Sequence, residues 1–241
     1  MTEGRLVIVR HGESVTNAAG VFTGWLDVEL TMRGRSEATG VGEILAGNDC
    51  IPHIVHTSTL SRSRESARLI CEALPRSSDA RITAHRSLDE RHYGAFTGRD
   101  KSEVRDAVGP EFFGEARNSL TVSPPPLSGD DMARLRNSRW PSSRLSLTGI
   151  VTESLGDVVL RVSRFWQEML SSQLGTGATV LVVAHGNSLR ALLVVIEHLS
   201  QAELSARRLR TGEPLLYRFG HDLFPTVYGG ETMRSRPAEQ L

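Results

Sequence analysis

The stretch LVIVRHGESVTN, residues 6–17, decides the fold because its character changes at one point. Its first four residues are apolar and mostly branched, which is typical of a strand buried on both faces of a sheet. Arg10, His11 and Gly12 follow directly. Arginine and imidazole groups are costly to bury without partners. The pattern therefore indicates a strand, over residues 5–10, that ends at a functional edge of the sheet.

Two further segments, IVHTS and TVLVVA, have the same apolar character. They occupy residues 54–58 and 179–184, and helical spacing follows each of them, over 60–74 and 187–198. Alternating strands and helices predict an α/β fold with a largely parallel sheet. We expect three α/β/α layers.

Two more helices are predicted from apolar spacing and start signals. One covers 31–46 with Thr31 as its N-cap. The other covers 153–170, and Thr152 and Glu153 lie where its start is expected. Its apolar stripe is typical of core packing.

The chain is predicted to form a single domain over residues 1–241 with one large insertion. The insertion, residues 86–150, is rich in Pro, Gly and Ser and has short helical segments near 101–107 and 111–118. We expect it to form a helical and loop lid over the C-terminal ends of the strands. The polar, Gly/Pro-rich residues 221–241 are predicted to be a mobile tail.

Composition argues against several classes of protein. Lys plus Arg and Asp plus Glu both number 28, so the basic excess of a nucleic-acid-binding protein is missing. Two cysteines are too few for a disulfide framework. No apolar stretch reaches the roughly 18–20 residues of a membrane span. We expect a cytoplasmic protein that binds neither nucleic acid nor membrane.

Basic side chains cluster at the ends of the predicted strands. Arg10 and His11 follow the first strand, His185 follows the third, and Arg62 begins the helix after the second. Ligands of open α/β sheets bind at the carboxyl ends of the strands. Guanidiniums suit phosphate, and the glycine after each histidine would let backbone N–H groups approach an anion. The rim is predicted to bind a phosphorylated anion.

Metal chemistry is not predicted. His53 and His56 are three residues apart near a strand, so they should point to opposite faces. The H-E-x-x-H pattern is also missing from the sequence.

Several motifs, in their order along the chain, resemble those of the histidine phosphatase superfamily. Within that superfamily they resemble the cofactor-dependent phosphoglycerate mutases. The resemblance covers about residues 5–219. It rests on RHGES at 10–14, FTGW at 22–25, LDERHYGAFTGRDKSE at 88–103, TESL at 152–155, AHGNSLRAL at 184–192 and TGEPLLYRF at 211–219.

The resemblance implies a catalytic group of five residues. His11 would be the nucleophile that becomes phosphohistidine, which divides phosphoryl transfer into two steps. Arg10, Arg62 and His185 would surround the phosphoryl oxygens and neutralise their charge. Glu90 would donate and accept the substrate's proton.

The resemblance also implies a substrate-binding group and one departure from it. Lys101, the only lysine of the chain, aligns with the substrate-binding lysine of the family. The group comprises Asn17, Thr23, Gly24, Arg91, His92, Tyr93, Lys101, Arg117, Asn118, Gly186 and Asn187. The family has a second arginine where this chain has Asn118, and Arg134, Arg136 or Arg139 could compensate for it.

The resemblance implies interconversion of 3-phosphoglycerate and 2-phosphoglycerate through a phosphohistidine enzyme and a 2,3-bisphosphoglycerate intermediate, primed by 2,3-bisphosphoglycerate and needing no metal. The partner would be a small phosphorylated three-carbon acid, and homo-oligomer formation stays open. Two catalytic alternatives share this framework: a histidine phosphatase, or a specialised mutase for a related phosphate or phosphonate. A non-catalytic binding or regulatory protein is disfavoured because His11, Arg62 and His185 are all present.

Overall fold

A computed structural model describes residues 3–75, 80–138, 149–220 and 222–235 of the chain. Within these ranges the strands form one mixed sheet with the order β3-β2-β4-β1-β5-β6. The strands are β1 Gly4–Arg10, β2 Ile54–Ser58, β3 Arg81–His85, β4 Thr179–Ala184, β5 Leu215–Phe219 and β6 Glu231–Thr232. The predicted α/β fold class is confirmed.

The three apolar strands predicted from sequence lie side by side and parallel. In the register, Arg10 of β1 is opposite Ala184 of β4, and Val183 of β4 is opposite Thr57 of β2. All three strands therefore end at the same level, and the residues that follow them meet at one edge of the sheet.

Helices cover both faces of the sheet and also build the segment between β3 and β4. The helices are α1 Val15–Ala18, α2 Met32–Gly47, α3 Ser61–Glu72, α4 Lys101–Val108, α5 Pro110–Asn118, α6 Gly129–Arg136, α7 Leu155–Phe165, α8 Ser171–Gly175, α9 Gly186–Glu197 and α10 Gln201–Ala206. Short 3₁₀ turns occupy Arg86–Leu88 and Gly94–Phe96.

The alternation of side chains along β1 explains why helices pack on both faces of the sheet. Leu6 and Ile8 are buried in a core cluster that includes residues of α7 and α9. Val7 and Val9 belong to the opposite cluster, with residues of α2 and α3. Because successive strand residues point to opposite faces, a strand that is apolar at every position is buried between two helical layers.

Thr31 is the N-cap of α2, as predicted, and its hydroxyl accepts a hydrogen bond from Gly34 N at 3.0 Å. The predicted helix over 153–170 differs in two respects. Its N-cap is Ser154, whose hydroxyl accepts from Asp157 N, while the Thr152 hydroxyl donates to Pro124 O. A π-helical turn, Trp166–Leu170, also separates α7 from α8.

Three strands were not predicted. β3, RITAH, is mostly exposed at the sheet edge and has no continuous apolar run. β5 and β6 are antiparallel to their neighbours, so the sheet is mixed. The pairing of β6 with β5 attaches part of the predicted tail, Glu231–Thr232, to the sheet.

The described part of the insertion packs on the loop after α1. Leu135 of α6 is buried in a cluster with Trp25, Leu26 and Val28. Among the described residues, no helix has the length and apolar character needed to cross a bilayer.

Gly12 lies where the end of β1 approaches the first turn of α2. A Cβ added to Gly12 would lie 2.0 Å from the carbonyl oxygen of Gly34. The Gly12 N–H donates to Ser66 Oγ at 3.0 Å, so this glycine serves helix packing, contrary to the predicted approach of its N–H to an anion. The packing of Gly12 against Gly34 therefore fixes the backbone next to His11.

We expect Gly12→Ala to destabilise the fold by about 1–3 kcal/mol, the usual cost of overpacking against rigid neighbours. Gly40→Ala is the matched control, since a Cβ there meets open space within α2. It should stabilise the protein by about 0.5–1 kcal/mol, because alanine favours helix. Urea unfolding measures both changes, and an equal effect of the two substitutions would contradict the packing argument.

Candidate active site

A cavity of about 510 Å³ opens at the edge where β1, β2 and β4 end. The first group of predicted site residues along its wall is Arg10, His11, Asn17, Thr23, Gly24 and Arg62. The second group is Glu90, Tyr93, Lys101, Arg117, Asn118, Gly186 and Asn187. His185 stands behind them, with its ring centroid 4.8 Å from that of His11.

His11 has one ring nitrogen fixed as a donor. Its Nδ1 lies 2.7 Å from the carbonyl oxygen of Gly12, which can only accept, so Nδ1 carries the proton. Its Nε2 lies 3.3 Å from Nε of Arg62, which can only donate. The lone pair of His11 is therefore at Nε2.

Burial and positive neighbours keep His11 neutral. The pKa of His11 is lowered well below 6.5, first by burial and then by the charges of Arg62 and Arg10. The bond to Gly12 O opposes this shift in part. A neutral imidazole with a free Nε2 lone pair has the protonation state of a nucleophile.

Arg62 is held rigidly although it is almost fully buried. Its Nη1 donates to Leu26 O at 2.8 Å and its Nη2 to Gly24 O at 2.9 Å. Burial lowers the pKa of Arg62 to about 10, which still leaves it cationic near neutral pH. The two carbonyls thus aim a fixed positive charge at His11.

His185 is fully buried beside this pair. Its Nε2 lies 2.7 Å from Ser58 Oγ, which also accepts a hydrogen bond from Leu60 N. Its Nδ1 is buried without a side-chain hydrogen-bond partner among the described residues. Burial and the charge of Arg62 lower the pKa of His185 well below 6.5.

Glu90 presents a carboxylate on a rigid backbone. Its Oε1 accepts from Arg91 N at 2.8 Å and from Asn187 N at 3.2 Å. Its carbonyl accepts from Trp25 Nε1 and, at 3.1 Å, from Arg161 Nη2. Oε2 has no hydrogen bond within the described ranges and is available to a ligand.

Asn187 joins this carboxylate to the far wall of the cavity. Besides its N–H bond to Glu90, its Nδ2 donates to Tyr93 Oη at 2.8 Å. Thr23 is oriented by Thr16, whose hydroxyl lies 2.6 Å from its own. Polar groups of the wall are thus held by one another before any ligand binds.

Lys101 and Arg117 supply charge on the insertion side of the cavity. Lys101 is the first residue of α4 and Arg117 lies in the last turn of α5. Burial and the charges of Arg117 and Arg10 lower the pKa of Lys101. Such repulsion among cations is relieved when an anion binds between them.

Two predicted substrate-binding residues do not reach the cavity. Arg91 is fully buried, with its guanidinium 4.8 Å from the centre of the Tyr93 ring. His92 is also buried, accepts from Gly94 N and packs on Trp25. Both side chains therefore pack inside the protein and stabilise the loop rather than line the cavity.

The two described residues of α6 that could compensate for Asn118 do not line the cavity. Arg134 donates to Ala95 O and Thr97 O, and neither it nor Arg136 lines the cavity. Arg139 lies outside the described residues.

Four arginines that sequence analysis did not assign to the site line the cavity: Arg190, Arg207, Arg208 and Arg210. Arg190 lies within the AHGNSLRAL motif, and the run RRLR at 207–210 is visible in the sequence. These signals could have been noticed, but nothing in them indicates which side chains face the site.

The described residues contain no cluster of three or more His, Cys, Asp or Glu side chains suited to a metal ion. His56 lies 3.0 Å from His85, and its other nitrogen contacts Gln173.

Comparison with known proteins gives a consistent family. A family model described as histidine phosphatase superfamily (branch 1) matches residues 6–140 and 130–225. A 2,3-bisphosphoglycerate-dependent phosphoglycerate mutase of Clavibacter sepedonicus is 41% identical over 235 residues, covering 96% of this chain and 92% of the relative. The mutase of that name from Thermobifida fusca is 39% identical, covering 98% and 95%.

A solved structure shares the fold. The mycobacterial glucosyl-3-phosphoglycerate phosphatase aligns with a TM-score of 0.71 at 23% identity, covering 95% of this chain and 100% of that protein.

The neutral state of His185 predicts a pH dependence of stability. Its pKa is lowered in the folded protein, so the unfolded chain takes up its proton first and stability falls as the pH drops below about 6.5. We expect His185→Gln to reduce the stability lost between pH 7 and 5.5 by about 1 kcal/mol. Urea unfolding across this range is the measurement. Parallel curves for the two proteins below pH 6.5 would contradict the assignment, whereas above pH 7.5 parallel curves are expected.

Proposed function

The chain belongs to the histidine phosphatase superfamily, and we propose that it is a phosphoglycerate mutase that interconverts 3-phosphoglycerate and 2-phosphoglycerate. The observation that carries the proposal is the state of His11, whose Nδ1 bonds Gly12 O at 2.7 Å while Nε2 faces Arg62 at 3.3 Å. That arrangement suits reversible acceptance of a phosphoryl group.

In the first proposed step, phosphorylated His11 gives its phosphoryl group to the free hydroxyl of 3-phosphoglycerate. The P–N bond breaks, a P–O bond forms, and Glu90, as a carboxylate, accepts the proton of the attacking hydroxyl. The product bound in the site is 2,3-bisphosphoglycerate. Arg10, Arg62 and His185 stabilise the charge on the transferring oxygens, an effect worth about 100- to 1,000-fold in rate per donor.

In the second proposed step, the bisphosphorylated intermediate reorients and returns its other phosphoryl group to His11. Nε2 attacks phosphorus, a P–N bond forms, the ester P–O bond breaks, and the leaving alkoxide takes the proton back from Glu90. The same two residues thus act in both directions. Lys101 and Arg117 hold the far end of the acid, which keeps it in the site while it reorients.

The donors of the cavity fit 2,3-bisphosphoglycerate, the proposed primer. Nε of Arg10 and Nδ1 of His185 are buried without partners among the described residues, and cations line the opposite wall. Such a set suits a compact molecule with an anionic group at each end. When bound, the primer supplies the phosphoryl group that charges His11. Asn17, Thr23, Gly24, Tyr93, Gly186 and Asn187 would contact it, and the proposal requires no metal.

Two relatives about 40% identical over nearly the whole chain favour the mutase over the alternatives. A phosphatase, in which water takes the phosphoryl group from His11, is favoured by Asn118, which has no charge where the family pattern has arginine. A specialised mutase for a related phosphate or phosphonate would use the same steps. We further propose that residues 86–150 act as a lid within one domain, and that the enzyme serves glycolysis and gluconeogenesis in the cytoplasm.

We expect His11→Ala to abolish acid-labile labelling by 2,3-bisphosphoglycerate, because no other residue is proposed to take the phosphoryl group. The control is His198→Asn, at an exposed position outside the cavity whose backbone φ of 55° asparagine tolerates. Retention of full labelling in His11→Ala would show that the nucleophile is a different residue.

We expect Glu90→Gln to slow mutase turnover by about 100- to 10,000-fold, since an amide does not transfer the proton. Glu43→Gln, on an exposed position of α2, is the charge-matched control. The assay supplies 3-phosphoglycerate and a trace of 2,3-bisphosphoglycerate, and follows 2-phosphoglycerate and free phosphate together. Wild-type protein that releases phosphate without forming 2-phosphoglycerate would favour the phosphatase.

A further inference from the structure

Arg190 is the missed cation with the most defined surroundings. It lies on α9 one helical turn beyond Gly186, which corresponds to about 6 Å along the helix axis. Its Nη2 donates to Leu204 O at 3.2 Å and to Asn118 Oδ1 at 3.4 Å. Its Nη1 donates to Asn187 Oδ1 at 3.4 Å. The guanidinium is thus oriented on the cavity wall by three oxygen atoms.

Asn118 is oriented for this contact by its own helix. Its Nδ2 donates to Gly114 O at 3.1 Å, and this carbonyl can only accept. The amide nitrogen is therefore on the Gly114 side and Oδ1 faces Arg190. The neutral amide oxygen holds the guanidinium in place and leaves its positive charge uncompensated. A carboxylate at this position would neutralise that charge.

The guanidinium retains donors for a ligand. Arginine has five N–H donors, and the three bonds of Arg190 leave at least two without an acceptor among the described residues. Nε is one of them, since it is buried and unpartnered. A buried donor without an acceptor is costly, and an anion in the adjoining cavity would satisfy it.

Electrostatics also favours an anion at this position. No carboxylate within the described ranges is recorded in a hydrogen bond or ion pair with Arg190. Burial is the main cause that lowers the pKa of Arg190, and the charges of Arg91 and Arg117 lower it further, whereas Tyr93 and Glu90 oppose them. Other cations, among them Arg117 and Arg207, line the same cavity, and an anion bound between them would relieve their repulsion.

We propose that Arg190, held by Asn118, binds the anionic group of the substrate distal to His11 and determines specificity for acids with two anionic ends. The inference rests on the proposed function, because it assumes that His11 takes the phosphoryl end. Position 118, where the family pattern has arginine, is in this chain a neutral acceptor that contacts the Arg190 guanidinium. Asn118 is a positioning residue, and the ligand is a carboxylate or a second phosphoryl group on a short carbon chain.

The test compares two ligands that differ at the distal end only. 3-Phosphoglycerate carries a carboxylate, and glycerol phosphate carries a hydroxymethyl group there. Calorimetry gives both dissociation constants for each protein. We expect Arg190→Gln to reduce the preference for 3-phosphoglycerate by about 10- to 100-fold, the equivalent of one charge-assisted hydrogen bond. Binding of orthovanadate, which reports on the His11 end, should change far less.

Two further variants separate binding from folding. Arg164→Gln removes one exposed arginine outside the cavity and should keep the preference of the wild type. Asn118→Asp places a carboxylate beside Arg190, where it competes with the ligand, so the preference should also fall about tenfold or more. An unchanged preference in Arg190→Gln, or equal weakening of all three ligands, would overturn the inference.

Failure of the proposed function gives a different result. If the protein forms no 2-phosphoglycerate but Arg190→Gln still loses the preference for the carboxylate, the mutase proposal fails and the role of Arg190 stands. If wild-type protein makes 2-phosphoglycerate but does not prefer 3-phosphoglycerate to glycerol phosphate, the role of Arg190 fails alone.

Discussion

The site depends on one imidazole that stays neutral among arginines. His11 donates from Nδ1 to Gly12 O, and Arg62 is fixed by two loop carbonyls so that its Nε faces the lone pair on Nε2. Protonation of Nε2 would bring two like charges together in a buried space. The same positive charges that keep the ring neutral are suited to receive the oxygens of a phosphate. Protonation state and anion binding therefore have one physical cause.

The fold supplies this geometry through the common end of three parallel strands. Because Arg10 is level with Ala184, the residues that follow β1 and β4 bring His11 and His185 to a ring separation of 4.8 Å. The close approach of Gly12 to Gly34 then fixes the carbonyl that holds Nδ1. Packing of α2 on the sheet therefore contributes to the geometry of the candidate site.

The strand ends could be predicted because buried parallel strands are continuous apolar runs, and the polar residues after them have only one edge to occupy. β3 was missed because its sequence, RITAH, is short, has no continuous apolar run and lies at an exposed edge. The resemblance implied Arg91 and His92 as substrate-binding residues, yet sequence does not reveal which side of an irregular loop each side chain takes. The orientation of Arg190 depends on its contact with Asn118, which brings α9 and α5 together. The two residues are 72 positions apart, so sequence alone does not indicate this contact.

The most direct test of the central claim is the ¹⁵N spectrum of the His11 ring in the intact protein. The structure predicts a neutral ring with the proton on Nδ1 at about pH 7, unchanged at about pH 5.5 because the pKa lies well below 6.5. After phosphorylation, phosphorus should be bonded to Nε2. A doubly protonated ring at either pH, or phosphorus on Nδ1, would contradict this account of the site.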